Sequence, residues 1–351
     1  MNLKTASMID PVASTARRSE IPFRRLVQIG FATGSLLTAV QFAFFVASLS
    51  QTASSGLALR PAEVEAWLPI SSFMSLVYLL RTGIANAVHP AGLVLFTLIL
   101  LLAFTLRRGF CSWVCPIGTF SEYSHEAGRK LLKRNLRIPK PLDIVLRSIK
   151  YLLLALFVVL ICGMSLEAMR DFIHGSYNRI CDVKMYAMFV PPSMTTLIVV
   201  FVLGALSLFF KNFWCRYLCP YGALLGLASI PSPTAVRRDS ARCTGCGRCT
   251  AACPNRIDVH NVTTVRSPEC TACLSCVSAC PSTETLCLGI ARTKKRITPA
   301  MYALLIIAAF ILVPHAFRAF GYWDTDTPIP LYEKLVPQLH KTTHPSVTSL
   351  K

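Results

Sequence analysis

The sequence predicts an all-α polytopic membrane protein with one small, cysteine-rich α+β insert. Three observations predict it. Hydrophobic residues make up 53% of the 351, mean hydropathy is +0.52, and the apolar residues collect in runs long enough to cross a bilayer. Lysine and arginine crowd into alternate loops between those runs. Eight of the 15 cysteines fall between Cys243 and Cys280 in two copies of one spacing.

The predicted spans are Leu26 to Leu49, Val88 to Leu106, Ile149 to Leu166, Met194 to Phe210 and Ala300 to Phe317. Each is close to the roughly 17 to 25 residues of a transmembrane helix. A sixth stretch, Leu68 to Leu80, is only about 13 residues long and contains Pro69, which suits a short interfacial or re-entrant helix. The first run is longer than a signal-peptide core and is read as a retained helix. The predicted organisation is an N-terminal segment 1–25, a four-helix membrane domain 26–230, a cysteine-rich domain 231–297, a fifth span 298–320 and a tail 321–351.

The formal charge of +19 could indicate a nucleic-acid partner, but its distribution argues otherwise. Residues 1–25, 107–150 and 211–296 hold 27 of the 36 lysines and arginines, and the intervening segments hold 9. This is the positive-inside asymmetry, so the N-terminus and the cysteine-rich domain are expected on the cytoplasmic side of a bacterial inner membrane, with the C-terminus periplasmic. A crossing at Leu68 to Leu80 would export the two most basic loops. The loop from Arg129 to Lys140 could touch anionic headgroups, though topology alone explains its charge.

The two cysteine runs are Cys243, Cys246, Cys249, Cys253-Pro254 and Cys270, Cys273, Cys276, Cys280-Pro281. This is the Cys-x2-Cys-x2-Cys-x3-Cys-Pro spacing of bacterial two-cluster ferredoxins, in which the fourth cysteine of each run ligates the other cluster. One [4Fe-4S] cluster is therefore expected on Cys243, Cys246, Cys249 and Cys280, and a second on Cys270, Cys273, Cys276 and Cys253. Zinc knuckles usually show two separated Cys-x2-Cys pairs instead. Iron-sulfur ligands need reduced thiols, in keeping with a cytoplasmic position.

An internal repeat ends the second and fourth spans. Phe110-Cys111-Ser112-Trp113-Val114-Cys115-Pro116-Ile117-Gly118 matches Trp214-Cys215-Arg216-Tyr217-Leu218-Cys219-Pro220-Tyr221-Gly222 as aromatic-Cys-x3-Cys-Pro-x-Gly. Cysteines four apart share one helical face. The following proline places Cys115 and Cys219 near a helix N-terminus, where thiolate is favoured. Cys111, Cys115, Cys215 and Cys219 are thus candidates for a third redox or metal site, against the alternative of buried, apolar cysteines at helix ends.

Two such motifs followed by a double ferredoxin run resemble the NapH/NosR group of polyferredoxin-type membrane electron-transfer proteins. Trp67-Leu68-Pro69-Ile70, Asp182-Val183-Lys184-Met185 and Trp214 to Leu224 resemble its YccM-type branch, over nearly the whole chain. The resemblance implies an electron-transfer subunit of a quinol dehydrogenase-type system, with the quinone pool on one side and a partner redox protein on the other. NosR-type relatives carry a large flavin-bearing domain where this sequence has residues 1–25, and CcoG-type relatives carry a folded domain after the last helix.

Two other classes stay open at this stage: a maturation reductase whose dithiols bind a soft ion such as Cu(I), and an iron-sulfur redox sensor. His89 and His174 are weaker candidates as quinone hydrogen-bond partners, and His315, His340 and His344 as metal ligands. Cys162 reads as an apolar filler. Cys181, in a loop assigned outside, and Cys287 have no motif partner.

Overall fold

The computed structural model describes residues 22–49, 59–132, 138–282, 284–290, 293, 295–339 and 341–342. Most of the N-terminal segment, the middle of the basic loop, and His340 and His344 lie outside the described residues.

In chain order the helices are α1 (Pro22–Leu49), α2 (Pro69–Thr82), α3 (Pro90–Leu106), α4 (Phe110–Trp113), α5 (Pro116–Leu132), α6 (Lys140–Cys162), α7 (Leu166–His174), α8 (Ser176–Arg179), α9 (Cys181–Phe189) and α10 (Met194–Phe209). A π-helical turn, Trp214–Leu218, leads into α11 (Pro220–Ala228). The cysteine-rich domain then contributes β1 (Thr234–Arg238), α12 (Arg248–Ala252), β2 (Thr264–Val265), α13 (Ser275–Ser278), β3 (Leu286–Ile290) and β4 (Arg296–Ile297). The chain continues through α14 (Pro299–Ala319) and α15 (Ile329–Leu335).

All five predicted apolar runs are helical, but their lengths differ. Phe23–Leu49, Pro141–Cys162 and Pro299–Ala319 are long and apolar enough to cross a membrane, whereas α3 and α10 are apolar but shorter. At 17 and 16 residues, they rise about 24 to 26 Å, short of a hydrocarbon core of about 30 Å. The chain turns left-handed just past each of them, at Arg107 (φ 59°) and Asn212 (φ 55°). By contrast, α6 begins nine residues before the expected Ile149, because its charged N-terminal half finds partners. Asp143 accepts from Arg216, and the Lys150 ammonium donates to Glu269.

The chain folds into two compact units, each assembled from three separate segments. One comprises Met1–Ala32, Leu100–Leu154 and Val200–Ile307, and the other Thr33–Ile99, Ala155–Val199 and Ala308–Lys351. Each boundary falls inside one of the apolar helices α1, α3, α6, α10 and α14.

The first unit contains every motif cysteine and a four-stranded antiparallel sheet, ordered β2-β1-β3-β4. Val236 stands opposite Leu288 in that sheet, and both are buried. In the second unit, Met74, Tyr78, Val88, Met169, Phe172 and Ile173 form one apolar cluster, and Phe42, Phe45, Ile180, Val183 and Tyr332 form another. The segment expected as a tail therefore supplies core residues, with Trp323 and Tyr332 each 1% exposed. A buried ionic network lies beside these clusters. Arg60 pairs with Glu65 at 2.9 Å and with Asp182 at 2.7 Å, and His89 reaches Glu65 at 3.3 Å and the Asn178 carbonyl at 2.7 Å. Both His89 ring nitrogens are engaged and the residue is fully buried.

Candidate iron-sulfur centres

Each ferredoxin run folds as a loop, one short helix and a Cys-Pro exit. In the first run Gly245 (φ 75°) and Gly247 (φ 68°) adopt left-handed backbone, and in the second Ala272 (φ 47°) and Leu274 (φ 59°) do so at the same two positions. A non-glycine residue pays about 1 to 2 kcal/mol for that conformation. Its recurrence at identical positions shows that the turn is required to wrap the loop. The helices α12 and α13 then carry Cys249 and Cys276, and Cys253 and Cys280 follow them.

The two loops enclose two cavities. Cys243, Cys246, Cys249 and Cys280 line one of about 350 Å³, together with Arg238 and His260. Cys253, Cys270, Cys273 and Cys276 line another of about 340 Å³, walled by Val236, Ile257, Val259 and Val265. The fourth cysteine of each run thus lines the cavity formed by three cysteines of the other.

Their environments differ. Cys270, Cys273 and Cys276 are buried, whereas Cys246 is exposed. Burial, reinforced by Cys273, pushes the Cys253 thiol up to about 12, and burial also raises Cys270 and Cys276. At the open cavity, the Gly245 N–H and Arg238 instead lower Cys243. Four crowded thiols in an apolar cavity suit a cationic iron-sulfur core, which replaces their protons.

The repeated dithiols also come together. Cys111 lies on α4 and Cys115 directly precedes α5, while Cys215 lies in the π-helical turn and Cys219 caps α11, its sulfur accepting from the Gly222 N–H at 3.2 Å. Burial raises Cys215 strongly, with Cys115, Cys219 and Cys111 adding to the effect, and burial with Cys111 pushes Cys115 up to about 12. The thiolate preference expected from helix N-termini is therefore overridden. The backbone N–H groups of Ile117 and Gly118 act in the expected direction on Cys115, but burial outweighs them. Among the described residues, no three His, Cys, Asp or Glu side chains converge on one metal-ion position. A cubane makes a different demand, since each cysteine binds its own iron and the ligands surround the cluster body.

The repeat glycine packs against the first cysteine of its motif. A Cβ on Gly118 would stand 2.3 Å from the Cys111 carbonyl oxygen, whereas one on Gly222 would stand 3.5 Å from that of Cys215. Gly118→Ala is therefore expected to lower the yield and melting temperature of the folded protein sharply, and Gly222→Ala to leave both near wild type. Equal behaviour in a thermal-shift comparison would contradict the packing.

Residues around the first dithiol grip the loop of the second cavity. Arg107 donates to the Ser267 carbonyl at 2.6 Å, Arg108 to Pro268 at 3.2 Å, Ser112 to Thr271 at 2.6 Å and the Trp113 indole to Ala272 at 3.0 Å. Glu269, within the same segment, accepts both Lys150 at 2.7 Å and Tyr151 at 3.0 Å. Burial opposes its ionisation, but Arg108 and Lys150 outweigh that and hold its carboxyl below the ordinary range. A recess of about 410 Å³ is lined by Cys111, Cys215 and Cys273, with Arg24, Arg108 and Asn212 among its other walls.

Glu122 on α5 fastens this assembly, pairing with Lys211 at 3.2 Å and with Arg24. Burial opposes its charge, yet Lys211 and Arg24 hold its carboxyl down to about 2, from an ordinary 4.5. Its stabilisation, roughly 3 kcal/mol, is complete above the ordinary value and is lost as pH falls toward 2. Glu122→Gln should lower the melting temperature at pH 7, and the gap should narrow as pH falls below the ordinary carboxyl value and close only near pH 2. A gap unchanged at pH 3 would remove the ion pair from the account.

The remaining sequence candidates stand apart from these centres. His174 and His315 are exposed, and His315 bonds its own helix at the Ile311 carbonyl. Cys162 is exposed at the end of α6, and Cys287 lies on β3. Sequence reading misses Arg107, Arg108, Lys150 and Glu269 as site residues. The first three register only as topology charge, although Lys150 falls inside a predicted span and its position there is a signal of a buried partner.

A family model described as a 4Fe-4S binding domain matches residues 88–139 and 192–235, which contain the two dithiol motifs. One described as a 4Fe-4S dicluster domain matches 235–281. YccM of Escherichia coli (strain K12), which carries the provisional name of an electron transport protein, is 37% identical over 92% of this chain and 91% of its own length. The chain belongs to the YccM-like family. The ferredoxin-type protein NapH of the same organism is 30% identical over 52% of the chain and 58% of its own, and the regulatory protein NosR of Pseudomonas aeruginosa 27% over 44% and 21%. No solved structure matches. This YccM-like chain is a 4Fe-4S, ferredoxin-type electron transport protein of a membrane.

Proposed function

We propose that this protein relays electrons between the quinone pool and a partner redox protein. Cys243, Cys246, Cys249 and Cys280 would hold one [4Fe-4S] cluster, Cys253, Cys270, Cys273 and Cys276 a second, and Cys111, Cys115, Cys215 and Cys219 a third redox centre. One-electron exchange is the chemistry such groups supply when bound. The observation that carries the reading is the grip of Arg107, Arg108, Ser112 and Trp113 on residues 267–272, which ties the first dithiol to the Cys270 loop. The buried Cys270 set is accordingly the inner station, and the set containing exposed Cys246 is the end open to a soluble partner. The family match over both dithiol motifs, described as 4Fe-4S binding, favours a cluster over a single soft ion at the four-cysteine site.

The unit boundaries support five crossings. In chain order, α1, α3, α6, α10 and α14 each pass from one compact unit to the other, while α2 lies wholly within one of them. Together with the basic loops, this supports a cytoplasmic N-terminus and ferredoxin domain and a periplasmic C-terminus. A fusion after Ser232 should activate a cytoplasm-dependent reporter and leave an export-dependent one silent, with the reverse after Tyr322. An active export reporter at Ser232 would overturn the orientation.

A further inference from the structure

Arg107 and Arg108 follow α3 and are only 1% and 2% exposed. Burying a guanidinium is costly unless its charge and its donors are met. Here they are met only in part. Arg107 uses one nitrogen on the Ser267 carbonyl, while its Nε and Nη1 have no hydrogen-bond partner. Arg108 uses Nη1 on Pro268 and stands 3.7 Å from Glu269, an anion already engaged by Lys150 at 2.7 Å, and its Nε has no partner.

The surroundings show what the spare charge faces. Arg108 lines the recess that Cys111 and Cys215 also line, together with Asn212, whose Oδ1 is buried and unpartnered. At the fourth cysteine, the position of a Cβ on Gly222 lies 3.6 Å from Cys219 Sγ and 3.7 Å from Arg108 Nη2. The guanidinium therefore sits among the thiols of both motifs. Arg107 instead donates to the Ser267 carbonyl, three residues before Cys270.

We propose that Arg108 is the built-in counter-charge of the centre held by Cys111, Cys115, Cys215 and Cys219, and that it sets that centre's reduction potential. The inference rests on the reading above that these four cysteines hold a redox centre. Reduction adds one negative charge to a thiolate-ligated group, so a fixed cation beside it stabilises the reduced form and raises the potential. Arginine suits the position because it keeps its charge when buried and offers several donors in a rigid plane.

The test is a redox titration of the full-length purified protein followed by electron paramagnetic resonance. Arg108→Gln should lower the midpoint of the four-cysteine centre by at least tenfold in its reduction equilibrium, about 59 mV for one electron. The two ferredoxin signals should move less, and Arg107→Gln should instead move that of the Cys270 set. Arg108→Lys, which keeps a cation, should recover most of the shift. Glu269→Gln, which removes the anion beside Arg108, should raise the midpoint and so gives an independent reading if Arg108→Gln fails to assemble. An unchanged midpoint in Arg108→Gln, a lysine variant as low as the glutamine one, or a fall in Glu269→Gln would overturn the inference alone. Wild-type protein with only the two ferredoxin signals would overturn both the third centre and this role for Arg108.

Discussion

Cys253→Ala is expected to abolish the spectroscopic signal of the Cys270 set while leaving that of the Cys243 set in place. Cys253 is nearer in sequence to the Cys243 triplet, so a reading by proximity predicts the opposite. The expectation rests on where the two helices carry the chain. The short helix α12 carries the chain from Cys249, in the first cavity, to Cys253, which lines the second with Cys270, Cys273 and Cys276. Cys280 mirrors this after α13 and lines the cavity of Cys243, Cys246 and Cys249. Because the domain is small, loss of either cluster also removes folding energy, and Cys253→Ala should be the more damaging of two single variants. Cys243→Ala removes a ligand from the open cavity containing exposed Cys246, whereas Cys253→Ala empties a buried one. Loss of the same signal in both variants would contradict the cross-ligation.

The second large effect concerns the four repeated cysteines. Replacing Cys111, Cys115, Cys215 and Cys219 together by serine should leave both ferredoxin clusters assembled and reducible by dithionite, but should abolish their electron exchange with quinone. The ferredoxin domain has its own sheet, loops and cavities, so its assembly does not draw on these sulfurs. Electron exchange would draw on them, because Cys111 and Cys215 line one recess with Cys273 of the second cavity. Undiminished exchange in the serine variant would return these residues to a packing role.

Much of this was legible in the sequence because the information was local. Fixed cysteine spacings encode the loops, and apolar runs encode the helices. The expectation that Cys253 serves the distant triplet came from the same kind of signal, since the Cys-Pro exit recurs at one offset in both runs. What the sequence hid is long-range and ionic. Lys150 meets Glu269 across 119 residues and Arg216 meets Asp143 across 73, and neither pair has a periodicity that betrays it. Hydropathy consequently started α6 too late, past the charged residues Asp143 and Arg147. The helix-terminus argument for low thiol pKa values failed at Cys115 because it weighed the nearby N–H groups without the burial that outweighs them.

The most direct test of the relay is electron exchange between quinone and the ferredoxin clusters of the purified wild-type protein. Oxidised protein would be mixed anaerobically with quinol, and dithionite-reduced protein with quinone, while the visible and paramagnetic signals of both clusters are followed. The account predicts exchange in at least one direction, involving both cluster signals and lost in the four-serine variant. Clusters that respond to dithionite and ferricyanide but exchange with quinone in neither direction would contradict it.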